Sequence, residues 1–245
     1  MLTTYLETGR RRTFVAAVDW PGWCRAGRDE AAAVEALLAY ESRYRVVSDT
    51  AGLELPVAGE VEVVERVVGD ATTDFGAPGK IPGLDHAPLE DQPLADQVAL
   101  LQASWRLLDE VAVSAPEHLR KGPRGGGRDR DAVVAHVVEA EASYARSLGL
   151  RKVRRPDPTD ASALAQLRER VVGALRGEVD TEAKWPVRYA VRRLAWHTSS
   201  TTSGRSRTSR SDRSAAFTLR CGGVPATAAR RRPSRLGRAG GRVGD

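Results

Sequence analysis

Two histidines carry the most definite chemistry in this sequence. His136 and His197 lie far apart in the chain, yet each falls on an apolar helical stripe. His197 follows Ala190 and Leu194 at i, i+4, i+7 spacing, with Val187 and Val191 widening the stripe. Arg188, Arg192 and Arg193 fall largely on the other side. His136 shares its face with Val133 and Ala140. Both imidazoles are therefore expected to point inward from two different helices, the way helical cores build sites for a divalent metal such as zinc or nickel. Two ligands leave such a site short, because a catalytic centre takes three protein ligands and keeps an open position. Glu139, one helical turn after His136, is a candidate substitute. The alternative is a pair of core histidines that hold no metal.

The other groups read as surface or connection. His86 lies in a Gly/Pro-rich stretch, and His118 just precedes the loop Lys121-Gly-Pro-Arg-Gly-Gly-Gly-Arg128. Gly-rich backbone ahead of a helix N-terminus can cradle an anion. This loop lacks the G-x-x-x-x-G-K-(S/T) order and no strand leads into it, so a helix–helix connection is the plainer reading. Cys24 and Cys221 sit far apart with no C-x-x-C, a pattern that suits a reducing, cytoplasmic setting. No apolar run reaches membrane-spanning length, and the N-terminus has no signal-peptide core.

The 245 residues carry a net charge of +6 that is unevenly placed. Residues 198–245 hold 11 arginines against Asp212 and Asp245, whereas the rest holds 27 basic and 30 acidic residues, a net of −3. The basic balance belongs to the tail, which argues against a nucleic-acid partner for the folded part. Lysine occurs only at 80, 121, 152 and 184. Arginine supplies nearly all the positive charge, and with abundant Ala, Gly and Val this points to GC-rich codons.

The elements that must position the histidines follow from periodicity. Strands are expected over 3–8 and 13–20 around Gly9-Arg-Arg-Arg12, and again over 60–68, where apolar and polar residues alternate. Between them, Asp29 is placed to cap a helix running to Tyr40. Residues 1–70 thus read as a small β-β-α-β domain and 71–93 as an aperiodic linker. Four helical patterns follow: Ala95–Val113, a segment capped by Asp129 or Asp131 and running to Leu148, a segment capped by Asp160 with Leu164, Leu167, Val171 and Leu175, and Trp185–His197. The expected class is α+β: the β-β-α-β domain, a four-helix antiparallel bundle over 94–202, and a disordered basic tail over 203–245.

After His197 the pattern stops with no Gly, Asn or Pro to end the helix. Thr is ACN and Ser usually TCN, so Thr198-Ser-Ser-Thr-Thr-Ser203 in a shifted frame gives N-TC, N-TC, N-AC, N-AC, N-TC. One permitted reading is Val-Leu-Asp-His-Val, a helix continuation with a histidine at position 201. The tail is accordingly read as out of frame, the alternative being a natural disordered basic tail.

Two resemblances bear on function. The run Phe14-Val-Ala-Ala-Val-Asp-Trp-Pro-Gly-Trp-Cys24 leading to Gly27-Arg-Asp-Glu-Ala31 resembles the N-terminal part of HicB-like proteins. That resemblance covers roughly the first 70 residues and implies an interaction or dimerisation domain, antitoxin-like or regulatory. Residues 94–197, with His136 and the ending Tyr189-Ala-Val-Arg-Arg-Leu-Ala-Trp-His197, resemble the DinB-like superfamily. That likeness implies a four-helix bundle with a three-His metal site and, in several members, a mycothiol- or bacillithiol-dependent transferase or isomerase acting on small metabolites. It assigns His136 and His197 to two ligand positions, and places Thr201 at the third.

Overall fold

The computed structural model describes residues 1–56, 59–119 and 129–202. The Lys121–Arg128 loop and the tail from Ser203 lie outside them. The architecture is mixed α+β: a four-stranded sheet in the N-terminal part, then helices. Among the described residues, no helix is long and apolar enough to cross a membrane.

Strands β1 (Leu2–Thr8) and β2 (Thr13–Ala17) form the expected hairpin, closed by Gly9 N donating to Arg12 O at 2.8 Å. A short β3 (Cys24–Gly27) adds antiparallel to β2, and β4 (Val61–Val68) pairs parallel with β1, giving the order β3-β2-β1-β4. All five residues of β2 are buried, because both faces of the sheet are covered. One face carries Leu2, Leu6, Val15 and Ala17 against helices α1 (Glu30–Leu38) and α2 (Glu41–Ala51). The other carries Tyr5, Phe14, Ala16 and Cys24.

The N-terminal unit is therefore richer than β-β-α-β. The second strand stops at Ala17, and residues 18–23 turn the chain into β3. The helix capped by Asp29, whose carboxylate accepts from Ala32 N at 2.8 Å, ends at Leu38, and a separate α2 follows. Gly27 makes the strand-to-helix turn workable. A Cβ there would stand 2.3 Å from Ala33 N, so only glycine lets α1 approach β3 this closely.

The stretch expected as a linker holds α3 (Ala71–Phe75) and a 3-10 turn at Gly83–His86. Its anchors are carboxylates distant in sequence. Buried Glu7 accepts from Thr73 Oγ1, from Gly79 N at 2.9 Å and from Lys80 N at 3.1 Å. Glu65 accepts from Gly83 N and Leu84 N. Asp85, 1% exposed, is ion-paired with Arg192, 5% exposed.

Helices α4 (Asp91–Ser114), α5 (Arg130–Ser147), α6 (Ala161–Leu175) and α7 (Val187–Thr202) follow the expected order. Asp160 caps α6 through a 2.9 Å bond from Ala163 N. The four share an apolar core to which α4 gives Val98, Leu101 and Trp105, α5 Ala142 and Ala145, α6 Leu167 and Val171, and α7 Ala190, Val191 and Leu194. On its other face, α4 sends Leu100, Ala103 and Leu107 into the core beneath α1 and α2. Helix α7 likewise reaches the sheet, with Trp196 edge-on to Phe14 at 6.3 Å.

Two buried groups make this packing testable. Asp85→Ala leaves the Arg192 charge buried without its partner and should cost about 3–5 kcal/mol in urea unfolding, whereas Asp85→Leu combined with Arg192→Met should recover most of that loss. Burial pushes the Cys24 thiol up to about 12. In a Cys221→Ser chain, whose one thiol is Cys24, labelling by a thiol reagent at pH 8 should occur only after denaturation. The folded protein keeps this proton where the unfolded chain, titrating near ~8.5, has lost it. Stability should therefore fall from about pH 8.5 toward 12, and fall less steeply in Cys24→Ala.

Candidate functional site

Helix α7 carries His197 on a column with four-residue spacing: Tyr189, Arg193, His197 and Thr201, with Trp185 one turn ahead. Helix α5 faces it with His136 and, two turns on, Tyr144. The rings meet along this seam. His136 and His197 have centroids 5.0 Å apart at an interplanar angle of 61°. Tyr144 stands edge-on to His197 at 5.8 Å, Trp185 lies 5.2 Å from Tyr144, and Tyr189 is 5.0 Å from Trp185. His197 is 5% exposed and His136 is half-buried.

Sequence periodicity thus places both imidazoles at one point. It missed Tyr144, two turns after His136 on α5, and Trp185, just ahead of α7; Arg193, expected largely on the opposite side, stands one turn before His197 on the same column. The guanidinium carbon of Arg193 stands 5.5 Å from the centre of Tyr144 and 5.0 Å from that of Trp196, and Nη1 donates to Pro78 O at 2.8 Å. Burial raises the Tyr144 phenol against the pull of Arg193, and raises that of Tyr189 to about 12.

The helix does not stop at His197. It runs on to Thr202, and the hydroxyl residues beyond His197 are held by carbonyls of the preceding turn. Thr198 Oγ1 donates to Leu194 O at 3.1 Å, Ser199 Oγ to Ala195 O at 2.8 Å, and Thr201 Oγ1 to His197 O at 2.8 Å. This back-bonding lets a Ser/Thr run remain helical and buried. Gly22, with φ +93°, lies against the same turn; its carbonyl is 3.1 Å from Ser199 Oγ, and a Cβ at 22 would crowd that oxygen at 3.0 Å.

The imidazole pair has the spacing to share one cation. Bonds of ~2.0–2.1 Å from two imidazoles to one tetrahedral ion put the ring centres about 5 Å apart, the spacing seen here. One turn further on, Thr201 offers only a neutral hydroxyl, a weak ligand for zinc or nickel beside imidazole, thiolate or carboxylate, with its proton given to His197 O. Glu139 is exposed, and among the described residues no three His, Cys, Asp or Glu side chains gather where they could hold a metal. Among the described residues, the two imidazoles gain no third ligand.

The remaining candidates lie elsewhere. His118 is exposed, 3.5 Å from Asp129, and His86 is exposed in its 3-10 turn. A cavity of about 800 Å³ opens between α4 and α6, beside Trp105 and Arg168, and neither imidazole lines it. Beneath it, Arg168 holds buried Glu141 through Nε and Nη2 at 3.2 and 3.3 Å and reaches Asp109 at 2.7 Å. Burial raises the Glu141 carboxyl while Arg168 opposes that shift, which is the balance of a structural ion pair.

Compared with protein-family models, with curated proteins and with solved structures, the chain matches none.

Proposed function

We propose that the α5/α7 seam is the centre of a DinB-like unit, a four-helix bundle over about residues 94–202, whose divalent-metal site is left incomplete at position 201. In this reading the protein belongs with thiol-linked transferases or isomerases of small metabolites. It would use zinc or nickel and a mycothiol-type thiol, and it is impaired in this chain. The observation that carries the reading is the 5.0 Å approach of the His136 and His197 rings from separate helices. The DinB-like resemblance supplies the reaction class. Completion of the site by a histidine at 201 agrees with the shifted-frame reading of residues 198–203.

A second reading makes the chain a non-enzymatic interaction or regulatory protein of HicB-like type, with a protein partner or a second copy on its N-terminal unit. Its support is apolar exposure at the end of that unit and just beyond it, with Val68 84% and, in α3, Phe75 63% exposed. In that case the imidazole pair is structural and the protein takes no stoichiometric metal.

The two readings separate on one substitution. Thr201 is 7% exposed and stands one helical turn beyond His197, so Thr201→His puts a third imidazole on the column. That variant should bind Zn²⁺ or Ni²⁺ at least ~100-fold more tightly than the unaltered chain, as three imidazoles replace two. A metal present at a hundredfold excess over Kd should then add about 2.7 kcal/mol to its stability. Adding His197→Ala should remove the gain. Equal metal responses of the unaltered and Thr201→His proteins would contradict the assignment of position 201. No response from either would favour the interaction reading.

A further inference from the structure

The three arginines of α7 are not equivalent. Arg188 pairs with Asp19 and Arg192 with Asp85. Arg193 pairs with no carboxylate among the described residues. It is half-buried, and it is fixed in place: one nitrogen donates to Pro78 O, and the guanidinium lies near the rings of Tyr144 and Trp196. An uncompensated guanidinium held on aromatic rings and partly shielded from water is a preorganised receptor for an anion. Its planar fork matches a carboxylate in particular.

Position adds to this. Arg193 precedes His197 by four residues, so their Cβ atoms lie about 5–6 Å apart on one helix face. Tyr144 touches both groups, and Trp185 extends the aromatic wall away from the imidazoles. A small molecule with its carboxylate on Arg193 would bring its adjacent atoms beside His136 and His197 and lay an apolar body along Tyr144 and Trp185. A site of mostly aromatic lining with one well-placed charge is the usual form of a small-ligand site.

We propose that Arg193 anchors a subsite for a small organic carboxylate with an apolar or aromatic body, held on the α5/α7 seam next to the imidazole pair. The proposal rests on the reading of that seam as the functional centre, and it names the substrate class the centre would accept. It does not require a metal to be bound.

The test uses the full chain in the presence of a chelator, with benzoate as the probe and benzyl alcohol as its neutral counterpart. Binding is read from Trp fluorescence and calorimetry. Benzoate should bind saturably, at least ~10-fold more tightly than benzyl alcohol, and more weakly as salt is raised. Arg193→Met, which keeps an apolar stem against the rings, should lose at least ~10-fold in benzoate affinity, whereas Arg188→Met should lose none. Equal binding of benzoate and benzyl alcohol by the unaltered chain overturns the proposal, whether or not the Arg193 variant folds. So does an Arg193→Met protein that binds benzoate as the unaltered chain does. Chelator separates this outcome from the metal assignment: benzoate binding without any Zn²⁺ response would leave the carboxylate subsite standing and remove the metal reading alone.

Discussion

Burial around most of the circumference of α7 is the constraint on which the rest of the structure depends. From Tyr189 to Thr201 only Arg193 and Ser200 escape full burial. One side of the helix joins the core shared with α4, α5 and α6, and another presents Trp196 to the sheet. A helix enclosed in this way cannot leave polar groups to water, so each needs an internal answer. Arg192 receives Asp85 from the 3-10 turn, and Thr198, Ser199 and Thr201 return their hydroxyls to carbonyls one turn back. The segment between the sheet and α4 is drawn into the fold by the same requirement.

The candidate site is a consequence of that enclosure. With its neighbours packed against the core and the sheet, the column Tyr189, Arg193, His197, Thr201 is left facing α5 and the segment around Pro78. There the aromatic rings, the two imidazoles and one positive charge with no carboxylate partner among the described residues collect. The cavity between α4 and α6, about 800 Å³, has the size for a ligand, but its charged floor is spent on holding Glu141. Size and chemistry therefore point to different places, and the chemistry favours the seam.

Much of this was legible in the sequence because the helices are strongly periodic. Val98, Leu101 and Trp105, or Leu167 and Val171, mark their buried faces directly, and the same spacing turned His136 and His197 inward. Other features were not legible. Strand β3 is only Cys24–Gly27, too short for alternation to register, and no breaker residue separates α1 from α2. The ordering of residues 71–93 comes from Glu7, Glu65 and Asp85, charged residues whose partners lie far away in the chain, and periodicity carries no signal for such ties. Beyond His197 the Ser/Thr run hides its helix, since its stability there comes from back-bonding and burial rather than from propensity. Arg193 looked like one more surface charge; it is set apart by having no carboxylate partner among the described residues, where Arg188 and Arg192 each have one.

On the proposed reading, His136 and His197 act together as a pair able to share one cation. The chain has four histidines, at 86, 118, 136 and 197, so imidazole ¹H–¹⁵N correlation spectra can follow each of them. During a Zn²⁺ titration the signals of His136 and His197 should move together along one binding curve, while those of the exposed His86 and His118 stay in place at the same metal concentrations. Movement of His118 or His86 first, or of His136 without His197, would contradict it.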